Sequence, residues 1–190
     1  PPVRQVFFPA RPQPVEQTAA AELARLTGAK AVAAARPGAG VSVSLAHRGW
    51  AQNAADRPAA GPWMWLRLAA NGTGEITASE PAFLFAAVSL LARGLTEKQR
   101  SKLAAGLLIK PAFKLNRPLW DNLLTQYWRT VRNFDAESYV RTLAENGFTH
   151  LEVNGLHAHM PMEEVAPTEF YAQFYTYCAG FNHFVDTPLT

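Results

Sequence analysis

The fold is decided by a stretch in which a strand passes directly into a helix: Gly74-Glu75-Ile76-Thr77-Ala78-Ser79-Glu80-Pro81-Ala82-Phe83-Leu84-Phe85-Ala86-Ala87. Just before it, Asn71-Gly72-Thr73-Gly74 has the composition of a tight turn. We therefore predict that Glu75–Ala78 returns as the hairpin partner of a strand at Trp63–Leu68.

Pro81 marks the start of the helix, because proline suits the first helical position and Ser79 and Glu80 precede it. Gly94 is predicted to end this helix. Its buried face is predicted to consist of five apolar residues at helical spacing: Phe83, Leu84, Ala87, Val88 and Leu91.

The preceding residues complete a small domain. Val3–Phe8 is a short β-type run, and a helix is predicted from Pro14 to a stop at Gly28. Ala33–Gly40 is interpreted as a loop, and the strict alternation of Val41–Leu45 predicts a half-buried strand. One-sided helices and strands must each find an apolar partner, so we predict an α+β fold: a small mixed sheet with two helices on one face.

Composition is that of an ordinary globular protein, with 190 residues, 48% apolar and 17% charged residues, and a net charge of +3. The basic residues are scattered, which argues against nucleic acid as a partner. No apolar run is long enough to span a bilayer, so we expect no membrane partner. We predict no cofactor, and the single cysteine, Cys178, excludes an internal disulfide.

The first domain resembles the non-catalytic domain that precedes the barrel in glycoside hydrolases of family 20 (hexosaminidases) and family 67 (α-glucuronidases). The matching residues are the helix Ala19–Gly28, which ends Leu26-Thr27-Gly28-Ala29, and the strand-to-helix stretch from Gly74 to Ala87. This resemblance implies an accessory α+β domain, which we assign to residues 1–95. A connector is predicted for residues 96–118.

The second part resembles the opening of the barrel in the same enzymes. Trp120-Asp121-Asn122-Leu123, followed later by Arg129, is similar to a stretch of the α-glucuronidases. Val131-Arg132-Asn133-Phe134, then a helix at Asp135–Asn146 and a strand at Phe148–Asn154, is similar to the first barrel segment of the hexosaminidases. A closed (β/α)8 barrel needs about 250 residues. Residues 119–190 are therefore expected to form only its incomplete start.

Four candidate substrate-binding residues lie in this second part: Trp128, Arg129, Asn154 and His157. Residues at the carboxyl end of a barrel strand face the active site, which places Asn154 and His157 at its mouth. Asn154 either bonds a sugar hydroxyl or caps the strand end. Arg129 and Trp128 hold a carboxylate or a sugar face, or else the arginine ties the connector to the barrel. His157-Ala158-His159 matches no usual zinc spacing, so no metal is predicted.

The resemblance implies the N-terminal portion of a carbohydrate-active glycoside hydrolase, not catalytic by itself. The catalytic residues are unknown, because in these enzymes the acidic pair lies on later barrel strands. The expected partners are a carbohydrate and the remaining barrel segment, supplied in the same or a separate chain. A secreted or periplasmic location is favoured over a cytoplasmic one. The alternative is a stand-alone carbohydrate-binding or protein-interaction module.

Overall fold

The computed structural model describes residues 3–50, 61–113, 116 and 136–150. The strands in this part are β1 (Gln5–Pro9), β2 (Lys30–Ala34), β3 (Val41–Leu45), β4 (Met64–Leu68), β5 (Gly74–Ala78) and β6 (Leu107–Ile109). The α-helices are α1 (Pro14–Thr27), α2 (Pro81–Arg93), α3 (Glu97–Leu103) and α4 (Ala136–Glu145). Together they give the predicted mixed α+β architecture.

The strands form one mixed sheet in the order β2-β1-β3-β5-β4-β6. β1 pairs in parallel with both β2 and β3, and β3 pairs in parallel with β5. β4 is antiparallel to its neighbours β5 and β6. The β4–β5 hairpin confirms the predicted turn, in which the Thr73 backbone N–H donates to Asn71 Oδ1 at 3.1 Å.

Helices α1 and α2 begin and end where the sequence predicts. Each has proline at its start, and Gly28 ends α1 in the left-handed conformation with φ of 69°. Glycine adopts this conformation without the steric cost that a Cβ brings. The helices contact each other as well as the sheet, which confirms that they lie on the same face.

The core lies between the sheet and these helices. Along β3, Val41, Val43 and Leu45 belong to the same buried cluster as Leu23 of α1 and Leu84 of α2. Successive side chains of a strand point to opposite faces, so Ser42 and Ser44 face away from the helices. Both serines are nevertheless buried, so β3 is buried on both faces and the prediction of a half-buried strand is wrong. The strand-to-helix stretch from Gly74 to Ala87 thus lies at the centre of the fold.

Two strands are additions to the prediction. β2 includes Ala33 and Ala34, which were expected to be in a loop, and β6 lies within the stretch expected to be a connector. β2 was not predicted because alanine and lysine, which make up most of it, have low β-propensity. β6 is only three residues long, and Gly106 just before it packs so closely on Trp65 that any Cβ would overlap the indole ring.

The helix predicted at Asp135–Asn146 is present as α4. Its residues Val140, Leu143 and Ala144 are buried in the same apolar cluster as α1 and α2, and α4 contacts α2. Phe148 to His150 lie outside any helix or strand, and residues 151–154 of the predicted strand lie outside the described residues. The domain boundaries at 95 and 118, and the barrel itself, stay predictions.

Candidate functional site

The four sequence-predicted site residues, Trp128, Arg129, Asn154 and His157, all lie outside the described residues. Their roles therefore stay predictions. The last described residue before the first pair is Asn116, and the last described residue before the second pair is His150.

Asn116 is bonded directly to the segment that follows α4. Its backbone N–H donates to Thr149 Oγ1 at 2.8 Å, and its carbonyl accepts from the backbone N–H groups of Thr149 and His150 at 2.8 and 3.2 Å. Its side-chain amide also donates to the Gly147 carbonyl at 3.3 Å. Asn116 and the segment from Gly147 to His150 are therefore adjacent.

Glu22 of α1 is the centre of an ion-pair network that joins α1 to α4. Its carboxylate accepts from Arg25 Nε at 2.9 Å and from Arg25 Nη2 at 2.7 Å. Arg141 Nη2 lies 2.7 Å from the same carboxylate, and Arg141 Nε donates to Glu145 at 2.9 Å. The Arg141 guanidinium also lies over the Phe85 ring, with Cζ 5.8 Å from the ring centroid. Such a placement favours a cation–π contact.

The network keeps the Glu22 carboxylate ionised. Hydrogen bonding from Arg25, and then from Arg141, lowers the pKa of Glu22 against the opposing effect of burial. Hydrogen bonding to Glu22 likewise raises the pKa of both arginines. A general acid at neutral pH needs a raised carboxyl pKa, so Glu22 is unsuited to proton donation. Glu22 therefore has a structural role, as the ionised partner of Arg25 and Arg141.

A groove of about 590 Å³ lies between α1 and α4 beside this network. It combines two arginines with amide, hydroxyl and apolar surfaces. Its lining comprises Pro12, Pro14, Gln17, Thr18, Ala21, Glu22, Arg25, Phe85 and Arg141. This volume lies in the range of small-molecule sites. The groove is therefore a candidate binding site within the described residues.

Glu16, on the sheet-facing side of α1, is fully buried. It accepts from the Leu45 backbone N–H at 3.0 Å, from the Gln13 backbone N–H at 2.9 Å and from Arg48 Nη2 at 2.8 Å. These bonds tie the start of α1 to the end of β3. Burial of a charge is tolerated when it is paired and hydrogen-bonded in this way, so Glu16 has a structural role.

Glu75 is the buried carboxylate of the opposite sheet face. It accepts from Trp65 Nε1 at 2.7 Å, and Arg67 Nε lies 3.9 Å away. In the sheet register Glu75 is opposite both Ser42 and Arg67. Glu16, Glu22 and Glu75 are thus all acceptors for arginine, tryptophan or backbone donors.

Two further findings apply to the described ranges. No three histidine, cysteine or acidic side chains come together there as a candidate metal site. None of the helices described in this part of the chain has the length and apolar character needed to cross a membrane.

The residues of the groove were missed by sequence reasoning. The Glu22–Arg25 spacing and the Arg141–Glu145 spacing are ordinary helical pairs, which are visible in the sequence but common on solvent-exposed helices. The contact between Arg141 and Glu22 joins distant parts of the chain. No local signal predicts such a contact.

The described residues define the class of the chain as an α+β protein with a mixed sheet, and its fold is similar to that of a solved structure. The chain is similar to the solved structure of the 4-O-methyl-α-glucuronidase BtGH115A, described as a novel family GH115 enzyme with specificity for decorated arabinogalactans. The TM-score is 0.52 and the identity 14%, over 79% of this chain and 24% of that chain. The chain therefore spans about a quarter of the length of that enzyme.

This likeness concerns the fold and does not distinguish family 20 from family 67. No protein-family model matches the sequence. No curated protein matches it either.

Proposed function

We propose that the chain is a non-catalytic N-terminal portion of a carbohydrate-active glycoside hydrolase. It hydrolyses O-glycosidic bonds only together with a β/α barrel that begins in residues 119–190. The observation that carries this proposal is the fold likeness to a glycoside hydrolase over 79% of the chain. A carbohydrate is accordingly the proposed substrate of the complete enzyme.

The carboxylates of the described part support a non-catalytic role. Glycosidases use two carboxyl groups, one of which is a general acid with a raised pKa. Glu22 has a lowered pKa, and Glu16 is bonded to Arg48 and to two backbone N–H groups. We therefore assign the acid and the nucleophile or base to other strands of the barrel.

The attachment of α4 supports a role as a platform. Its apolar face is buried with α1 and α2, and Arg141 and the Arg93–Asn146 hydrogen bond of 2.8 Å hold its polar side. Polypeptide that continues from His150 would thus start from a fixed position. Trp128, Arg129, Asn154 and His157 are the proposed substrate contacts of the complete enzyme.

The test is to compare this chain with the complete polypeptide that its gene encodes. Both are assayed for release of 4-nitrophenol from a panel of aryl glycosides, including glucuronides and N-acetylhexosaminides. We expect turnover by the complete polypeptide and none by residues 1–190. In the complete polypeptide, Asn154→Ala and His157→Ala are expected to raise KM, whereas Glu97→Gln, on the exposed start of α3, serves as the control.

The alternative of a stand-alone module makes a different prediction. A binding module would retain affinity for a glycan in an assay of the complete polypeptide but would show no turnover of any glycoside. Turnover by residues 1–190 alone would contradict both proposals.

A further inference from the structure

We propose that the groove between α1 and α4 is a second carbohydrate site, which binds the oxyanion substituent of an acidic glycan through Arg25. The carbohydrate part of this inference rests on the proposed function. The inference that the ligand carries a negative charge rests on the two arginines of the groove, Arg25 and Arg141. The substituent is a carboxylate or a sulfate, since a guanidinium recognises both by paired N–H donors.

The two arginines differ in how firmly they are held. Arg141 bonds Glu22 on one side and Glu145 on the other, and it lies over the buried Phe85 ring. It is a fixed part of the groove. Arg25 bonds only toward Glu22 within the described fold, and its side chain is 64% exposed. An ion pair this exposed and three residues apart on one helix is weak, so Arg25 can turn toward a ligand at little cost.

Arg25 also has N–H donors that the Glu22 carboxylate does not use. A guanidinium carries five N–H donors, and the Glu22 pair uses Arg25 Nε and Nη2. The Glu22 carboxylate occupies one edge of the Arg25 guanidinium. The remaining N–H groups of Arg25 are available to an oxyanion in the groove. Charge in the network is balanced by Glu22 and Glu145, so binding depends on hydrogen-bond geometry and is expected to be weak, in about the millimolar range.

The rest of the lining suits a sugar ring. Gln17 offers an amide on the exposed side of α1, and Thr18 offers a hydroxyl whose proton is donated to the Pro14 carbonyl at 2.9 Å. Pro12 and Pro14 add flat apolar surface at one end. Sugars present both hydroxyl edges and apolar faces, and binding sites combine apolar walls with a few polar groups in this way.

The experiment titrates the purified chain with defined probes and follows amide chemical shifts by NMR. The carboxylated probe is sodium digalacturonate and the sulfated probe is galactose 6-sulfate. Galactose is the neutral control, and sodium acetate and tetraglutamate are the non-sugar anions. The variants are Arg25→Ala and Gln17→Ala, with Arg36→Ala as a matched exposed arginine outside the groove.

We expect shifts at α1 and α4 with at least one acidic sugar, and that probe identifies the substituent. Arg25→Ala should weaken binding about tenfold or more, because a charge-assisted hydrogen bond is lost. Gln17→Ala should weaken it less, and Arg36→Ala should leave it unchanged. A cooperative thermal unfolding transition confirms that each variant is folded.

Three results would overturn the proposal: no binding of either acidic sugar, equal binding by Arg25→Ala, or equally tight binding of acetate or tetraglutamate. Such a failure would not contradict the proposed function, because the glycosidase assay that tests it uses the complete polypeptide. Binding in the groove together with no glycosidase activity would instead indicate a binding module.

Discussion

Arg141 Nη2 on α4 lies 2.7 Å from Glu22 Oε2 on α1, which joins a late segment of the described chain to its first helix. The Glu22 side chain is 7% exposed and the Arg141 side chain 37% exposed. This contact is therefore neither a surface pair nor a fully buried one. It lies beside the apolar contacts of Val140 and Leu143, so charge and packing act on the same interface.

Arg141→Ala is expected to lower the free energy of unfolding by about 1–3 kcal/mol, because a largely buried carboxylate loses one of its charged donors. Urea denaturation of the chain measures this value. Arg25→Ala is the matched control, because it removes the exposed donor of the same carboxylate and should cost less than about 1 kcal/mol. Equal costs for the two variants would show that the interhelical pair adds nothing beyond a surface pair.

The stability of the chain should depend on pH through Glu22. Its pKa lies below the ordinary value of 4.5, chiefly because Arg25 donates hydrogen bonds to it. A carboxyl group with a depressed folded-state pKa stabilises the fold above its unfolded pKa, and that stability is lost as the pH falls through the folded value. Both arginines stay charged throughout, since their pKa values are raised.

Glu22→Gln should therefore be less stable than the wild type at about pH 7, and the difference should shrink as the pH falls below about 4.5. Chemical denaturation of both proteins at a series of pH values tests this. A difference in unfolding free energy that stays constant down to the acid transition would contradict the assigned role of the Glu22 charge.

Glu16→Ala is expected to destabilise the chain by about 3–5 kcal/mol, because it leaves Arg48 and two backbone donors without their buried acceptor. The backbone donors belong to Gln13 and Leu45. Glu97→Gln, on the exposed first turn of α3, is the control and should change stability by less than about 0.5 kcal/mol. A comparable small change for both variants in urea denaturation would mean that the Glu16 network is dispensable.

Local signals in the sequence account for much of the fold. Pro14 and Pro81 mark helix starts because the fixed φ of proline suits the first helical turn. Gly28 and Gly94 mark helix ends because glycine adopts a positive φ without steric cost. The alternation of Val41–Leu45 and the turn before Gly74 specify two strands in the same direct way. The sequence therefore predicts the two helices, their common face and the central hairpin.

What the sequence could not predict depends on long-range contacts. Lys30–Ala34 is a strand because β1 supplies a pairing edge, although its own residues favour other structures. The groove forms because α4 packs on α2 and brings Arg141 to Glu22. No spacing in either helix encodes that meeting. The predicted substrate residues Trp128, Arg129, Asn154 and His157 remain to be tested by substitution.

The most direct test of the account is the glycosidase assay of the complete polypeptide against residues 1–190, with both proteins verified by intact mass. We predict glycoside hydrolysis by the complete polypeptide, and no release of 4-nitrophenol by residues 1–190 from any glycoside of the panel. Hydrolysis by residues 1–190 alone, or no hydrolysis of any glycoside by the complete polypeptide, would contradict the account.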